Sequence, residues 1–544
     1  MFVLWLAIGC GAGAKDVSEA DASTDTNTVD DDCADGPSAW HPDADGDGWG
    51  DPAGEEWSCG QPPDHVADAS DCDDARAEVS PDAVETCGNG LDDDCEGGDE
   101  ACEEEDDLVG ADARLLGVAE GDWTGSTLAP AGDVDGDGYG DVLVGAYAHQ
   151  GTGWYSGVAY LVLGPVSGDV NLADADATMH GGAALEGAGS SITRVGQDRD
   201  GLSGWLLVGV PGADEGGDGA GGVALVPDAT RGSVDLLVDA VRLYGEDEAD
   251  GAGGSADTAG DMNGDGRLDA IVGAVNAYSG FGAAYIVAMP AVADGSLSDG
   301  LCTLVGEKEG DQAGISVAGA GDTDGDGFDD VIVGAIHAGA EEYAGAAYVV
   351  FGPVSGIRSL STADVTLRGE NAYDGAGVSV DGAGDMDGDG RADLLVGAPY
   401  IELGGDLPGQ AYLVLGGVTG ELQLADADAI FVGEETGDSA GSNVAGVGDV
   451  DQDGWSDVLI GAPDHSHNGG AAYLVRGPRS GTLDLASADR RFVGEQDGDQ
   501  AGLDVSAAGD VDGNGFPDLL IGAYGNDALA PDAGAAYLLY QGVE

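Results

Sequence analysis

Asp133-Val-Asp135-Gly-Asp137-Gly-Tyr-Gly-Asp141-Val-Leu-Val-Gly-Ala146 decides how this chain is read. Carboxylates stand at positions 1, 3, 5 and 9 of a short loop, and a glycine at position 6 permits a tight turn. An apolar run ending Gly-Ala follows. The pattern returns from Asp261, Asp322, Asp385, Asp449 and Asp510, and a degenerate copy lies at Gln197–Val208. The period is about 63 residues, beyond the usual solenoid range and suited to a four-stranded blade. In the fourth copy the strand signals are Cys302–Gly306, Ala313–Ala320, Val331–Ala335 and Gly345–Phe351, each bounded by Gly or Asp. No stretch is long enough for a helix. Seven such copies predict an all-β chain whose main domain is a seven-bladed β-propeller. The first apolar stretch, Arg114–Gly117, has no blade before it, and the last copy, ending Gly534-Ala-Ala-Tyr537-Leu-Leu, lacks its outer strand. Pairing the two closes the ring and removes two exposed edges. The tyrosine that recurs as Tyr160, Tyr285, Tyr348 and Tyr473 reads as core packing between sheets.

Carboxylates at positions 1, 3 and 5 of a tight loop converge on one point, and position 9 can supply a bidentate carboxylate. Such an all-oxygen shell favours calcium over magnesium, which keeps more of its water. The candidate ligands are Asp133, Asp135, Asp137 and Asp141; Asp261, Asn263, Asp265 and Asp269; Asp322, Asp324, Asp326 and Asp330; Asp385, Asp387, Asp389 and Asp393; Asp449, Asp451, Asp453 and Asp457; and Asp510, Asp512, Asn514 and Asp518. An EF-hand is excluded, because position 12 of the first loop is Val144, inside a strand. Empty loops would crowd three or four carboxylates together, so calcium is expected to act structurally. The second copy, Gln197-Asp-Arg-Asp-Gly-Leu-Ser-Gly-Trp205, has lost the regular carboxylates and is expected to work without metal.

Composition narrows the partners. The chain has 16 Lys+Arg against 105 Asp+Glu, and its lysines are Lys15 and Lys308. Such a surface repels phosphate backbones and anionic head groups, which argues against nucleic acid and membrane-surface binding. Residues 1–10 are apolar and end Ala7-Ile8-Gly9-Cys10, resembling the tail of a bacterial lipoprotein signal with a lipid anchor at Cys10. A plain export signal is the other reading. Residues 11–32 are small and acidic, as expected of a disordered tether. Residues 33–102 form a cysteine-rich module, residues 103–110 an acidic linker, and residues 111–544 the repeats. Six of the eight cysteines fall between Cys33 and Cys102, which reads as a disulfide framework of an exported protein. Zinc is the rival reading, without a C-x2-C pair to support it. Cys302 stands apart and reads as a buried free thiol.

The repeat, in its form Phe431-Val-Gly-Glu434…Asp438-Ser-Ala-Gly441…Gly448-Asp449…Gly461-Ala-Pro463, resembles the FG-GAP repeat of the integrin α-subunit propeller. The resemblance covers Ala111–Glu544. It implies a seven-bladed propeller with calcium loops on one face and ligand contacts on the other. Bacterial surface proteins with this repeat are the nearer comparison. Trp40-His-Pro-Asp43-Ala-Asp45-Gly-Asp47-Gly-Trp-Gly-Asp51, with Ser70-Asp-Cys72 and Asp92-Asp-Asp94-Cys95, resembles a bacterial metal-binding motif module named after a copper-binding surface protein. Carboxylates outnumber soft ligands there, so Asp43, Asp45, Asp47 and Asp51 point to calcium, with copper and a metal-free knot as alternatives.

No nucleophile elbow and no Walker loop is present, and His465-Ser-His467 reads as a solvated turn. The loops opposite the acidic face carry Trp154, Tyr155, Tyr278, Phe281, Tyr343 and Tyr400. Aromatic side chains there either stack on a ligand or cap the blade ends. The expected function is a surface-anchored or secreted binding module for an extracellular protein or glycan, not an enzyme. The alternative is a polysaccharide lyase or esterase working on that face.

Overall fold

The computed structural model describes residues 38–44, 49–50, 56–63, 65–67, 69–70, 72, 105–196, 204–339, 343–399 and 408–542. Cys10, Asp45, Asp47, Asp51, Tyr400 and most of the degenerate second loop lie outside them. The chain divides into two compact units, Met1–Cys102 and Glu103–Glu544. In the first, Ser38–Pro42 pairs antiparallel with Glu56–Ser58 and with His65–Val66. Cys59 and Cys72 are each disulfide-bonded.

The second unit is a β-propeller. Among the described residues it contains seven five-stranded sheets. The inner strands are Thr127–Gly132, Ile192–Val195, Ala252–Gly260, Ala313–Gly321, Val380–Gly384, Asn443–Gly448 and Val505–Gly509. Each touches the next, and the last touches the first, so the ring is closed. Every acidic run leads into a second strand, such as Asp393–Ala398, that is buried along its whole length. Its neighbours on both sides are other sheets, which is why it reads as a continuous apolar run and not as an alternation. Gly397 and Gly461 lie on these strands because the next sheet comes very close. A Cβ at either would stand 2.0 Å from the carbonyl oxygen of Gly441 or Gly502.

The sheets differ from the four-stranded expectation. The fourth strand of each sheet lies in the following sequence repeat, as Cys302–Val305 does for the sheet that begins at Ala252. Before it reaches that strand, the chain runs parallel along the outer edge of the preceding sheet. Gly356–Ser359 thus pairs with Cys302–Val305, and Gly420–Gln423 with Val365–Arg368. This fifth strand covers an edge that would otherwise be free. Closure follows the same rule twice. Ala113–Leu116 pairs with Ala535–Leu539, while Glu105–Asp107, read from sequence as part of a linker, pairs with Arg490–Val493. After most outer strands a one-turn 3-10 helix inserts a buried leucine, among them Leu108, Leu172, Leu360 and Leu485.

Side chains on the inner strands stitch neighbouring sheets together. Ser255, Ser316 and Ser379 accept the backbone N–H of Val317, Val380 and Val444, and Asn443 accepts that of Val505. Asp504 accepts the N–H of Leu128 at 2.6 Å across the ring closure. Asp257, Asp381 and Asp504 line a central cavity of about 690 Å³. Burial pushes the Asp504 carboxyl up to about 7; burial, and then the charge of Asp257, pushes Asp381 up to about 8. These carboxyls keep their protons to higher pH in the ring than in the unfolded chain, where they titrate near about 3.9. Their contribution to stability is complete below that value and is lost as pH rises through the folded value. Asp381→Asn should therefore match the wild type near pH 4 and become the more stable form toward pH 8. Thermal melts across that range check this, and a difference independent of pH would refute it.

Candidate functional site

The acidic loops lie between the inner and second strands, so they crowd one face of the ring. Each inner strand of an intact repeat ends in a glycine at positive φ, such as Gly384 (φ 71°), with a bulge in the pairing just before the loop. The bulge turns the chain out of the sheet. In the loop that follows, the position 1 carboxylate is a hub. Asp385 Oδ1 accepts the N–H of Gly388 (2.7 Å) and Asp389 (3.1 Å), and Oδ2 accepts that of Gly390 (2.9 Å). The Asp133 and Asp322 loops repeat these contacts.

Position 9 is the buried member. Asp141, Asp269, Asp330, Asp393, Asp457 and Asp518 are all 0 % exposed. Asp393 Oδ2 accepts the N–H of Met386, at position 2 of its own loop, at 2.8 Å. Its Oδ1 accepts the N–H of Gly416, just past the third strand, also at 2.8 Å. Asp141, Asp457 and Asp518 make the same two bonds. Burial first, and then the neighbouring carboxylates, push these six carboxyls up to about 6.

The structure gathers some expected ligands and not others. One oxygen each from Asp133, Asp135 and Asp141 lies within 4.8 Å of the others, as do those of Asp322, Asp324 and Asp330, and of Asp385, Asp387 and Asp393. In the fifth loop the convergent set is Asp449, Asp451 and Asp453. The position 5 carboxylates also cap the turn: Asp137, Asp326, Asp389 and Asp453 accept the N–H of Tyr139, Phe328, Arg391 and Trp455. In the third-copy loop Asn263 turns its amide nitrogen on Asp269 (2.9 Å), and Asp265 Oδ1 accepts the N–H of Arg267. In the last loop Asn514 donates to Asp512 (2.9 Å), while Asp510 accepts the N–H of Gly515. The converging donors are all carboxylate oxygens, which fits a hard divalent cation. The degenerate copy begins its second strand with Trp205, and a buried ion pair between Arg194 and Asp228 (2.6 Å) lies beside it. In the first unit Asp43 follows the strand Ser38–Pro42.

Sequence reasoning missed a second set of polar contacts. The recurrent tyrosines are buried as expected, and the hydroxyls of three of them are polar ties between sheets. Tyr348, Tyr473 and Tyr537 donate at 3.0 Å to Glu307, Glu434 and Glu495. Arg368, Arg491 and Arg114 hold the same glutamates. The Glu of Val-Gly-Glu434 was visible in the repeat; its partner, on the next sheet, was not. Cys302 is a buried free thiol.

The opposite strand ends carry the aromatic side chains. Trp123 meets Tyr147, Tyr155 and Tyr524 edge-on, with ring centroids 5.5, 5.9 and 5.7 Å away. Trp154, 62 % exposed, stands 4.8 Å from Tyr155. A separate cavity of about 710 Å³ on this side is lined by Lys308, Gln312, His337 and Tyr343.

The FG-GAP repeat family model matches residues 124–156, 376–414, 440–475 and 501–539. A second model, described as "Putative metal-binding motif", matches residues 71–101. Human integrin alpha-IIb is 36% identical over 171 residues, 30% of this chain and 16% of its own length. Integrin alpha pat-2 of Caenorhabditis elegans is 30% identical over 238 residues, covering 41% of this chain and 19% of its own. Integrin alpha-5 of Xenopus laevis is 33% identical over 222 residues, covering 39% and 20%. The chain spans a fifth or less of these relatives. The repeat unit is thus a β-propeller that is similar to the integrin α propeller and in which four FG-GAP repeats are matched.

Asp393→Ala should cost about 2–5 kcal/mol, because two N–H groups lose a charged acceptor. Asp389→Ala, on the exposed turn, should cost under about 1 kcal/mol. Thermal melts of both variants in saturating calcium test the difference; equal losses would remove the structural role assigned to position 9.

Proposed function

We propose that this propeller is a calcium-stabilised, extracellular or cell-surface binding module that docks a protein or glycan through the face opposite the acidic loops. It is not an enzyme in this reading. The observation that carries it is the aromatic cluster of Trp123, Tyr147, Trp154, Tyr155 and Tyr524. Its strand ends are remote from the loops, and part of it is open to solvent. Trp and Tyr offer a large apolar surface with a polar tip, which suits sugar stacking and protein docking. Two of these aromatics, Trp123 and Tyr155, sit at positive φ (56° and 53°), a conformation bulky residues seldom adopt. Calcium is assigned to the acidic face because its converging donors are oxygens and its turns are tight. The formal charge of −89 raises the local concentration of cations and disfavours nucleic acid. The lipid anchor at Cys10 belongs to the same proposal, as does metal binding by the cysteine-rich module.

Metal analysis should find about six calcium ions per repeat unit, one for each intact loop; two or fewer would contradict the assignment. Chelation should lower the melting temperature strongly, and magnesium should restore it poorly. Ions that bind only the folded state contribute about 2.7 kcal/mol per site at a hundredfold excess over Kd. An unchanged melt in chelator would end the structural-calcium reading.

Glycan and protein arrays probed with and without calcium test the ligand assignment. Trp154→Ala should weaken binding at least tenfold while moving stability by no more than about 0.5 kcal/mol. Binding that is indifferent to Trp154 and Tyr155 would place the ligand elsewhere, and turnover of an arrayed glycan would favour the lyase or esterase alternative.

A further inference from the structure

His149 and His180 lie 31 positions apart in sequence and belong to different parts of the first sheet. His149 follows the second strand, Asp141–Ala146, and His180 ends the fourth, Ala177–His180. Both are at the strand ends remote from the acidic loops. Their ring centroids are 6.2 Å apart. Two imidazoles on one ion, each with a metal–nitrogen bond near 2.1 Å, have centroids no more than roughly 6.4 Å apart. The pair is therefore within reach of a shared ion.

One nitrogen of each ring faces Gly151. A Cβ built on Gly151 would stand 2.9 Å from Nε2 of His149 and 3.7 Å from Nδ1 of His180. Gly151 is not among the glycines at positive φ, so its backbone does not demand glycine. A side chain there would press against one nitrogen of each ring, so glycine keeps both nitrogens uncovered on that side. The other nitrogen of His149 faces a carboxylate. Its Nδ1 lies 3.0 Å from Oδ1 of Asp122, a carboxylate that is 2 % exposed and whose Oδ2 accepts the N–H of Ala119. Nδ1 and Oδ1 stand at ion-pair distance without hydrogen-bond alignment, so Asp122 favours positive charge on this ring or on an ion at its Nε2. The sixth sheet provides an internal comparison. His465 Nδ1 lies 3.1 Å from Asp438 in the same way, but Val493 holds the place of His180, and the ligand atoms that gather there are those of Glu435, Asp438 and His465.

We propose that His149 and His180, with Asp122 as the positioning carboxylate, form a site for a borderline transition-metal dication such as Cu2+ or Zn2+, distinct from the all-oxygen loops. Imidazole nitrogen suits this class of ion, whereas calcium takes oxygen. Water would complete the coordination.

The test uses the untagged full chain in saturating calcium, which keeps the acidic loops engaged with a hard cation. Cu2+ is added, and nitrogen hyperfine coupling is read by electron paramagnetic resonance. Zn2+ affinity is measured by calorimetry. The wild type should show a nitrogen-coupled site that is lost from His149→Ala and from His180→Ala but kept in His465→Ala, which removes the other histidine that the structure gathers with carboxylates, Glu435 and Asp438. Asp122→Asn should weaken the site about 10–100-fold. Gly151→Val, which fills the space and keeps both histidines, should also abolish it, so the test does not depend on either histidine variant folding. His467→Ala should change nothing. A wild type that binds neither ion, or a site of equal strength in Gly151→Val and the double histidine variant, would overturn the proposal.

Discussion

The carboxylate at the head of each intact second strand is the contact on which the propeller most depends. Asp393 is fully buried, yet both of its oxygens are engaged by backbone N–H groups, one from its own loop and one from beyond the third strand. It therefore binds three segments of one sheet at a point where the backbone leaves the regular ladder. A buried carboxylate is tolerable only when so engaged. Its neighbours at positions 1 and 3 make its charge harder still to hold, which is why a cation beside it and the fold it anchors belong to one design.

No sheet of the ring could stand alone. Each gives an outer strand to its predecessor, and many share a Tyr–Glu–Arg contact with a neighbour. Inner-strand serines and the channel carboxylates add a third layer of ties close to the axis. A repeat that buries its faces only against copies of itself gains stability from closure, and closure removes the last free edges. The N-terminal segment of the repeat unit serves this purpose twice, at Glu105–Asp107 and at Ala113–Leu116.

The topology separates two chemistries. Loops that join the first and second strands are acidic, short and alike. Loops at the other strand ends differ from sheet to sheet and carry the aromatics, the histidines and Lys308. The common face can serve the fold in every sheet, while the variable one is free to recognise something. A strongly acidic surface sets the conditions for both, since it gathers cations and keeps polyanions away.

The sequence by itself determined the repeat, the all-β class, the acidic loops and the pairing of the chain ends. These are local signals: glycine and carboxylate spacing dictates a tight turn, and a short apolar run between turns dictates a buried strand. It also separated the degenerate second copy, where Trp205 replaces an aspartate, from the intact ones. It did not reveal the fifth strand, because Gly356–Ser359 is exposed on an edge and carries no apolar pattern. Nor did it reveal that position 5 turns inward on its own loop, that Tyr473 finds Glu434, or that His149 and His180 meet. The last two contacts join residues about 30 to 40 positions apart through the packing of one strand or sheet on another. Only tertiary structure decides such pairs, because the spacing that brings them together is that of the ring and not of the chain.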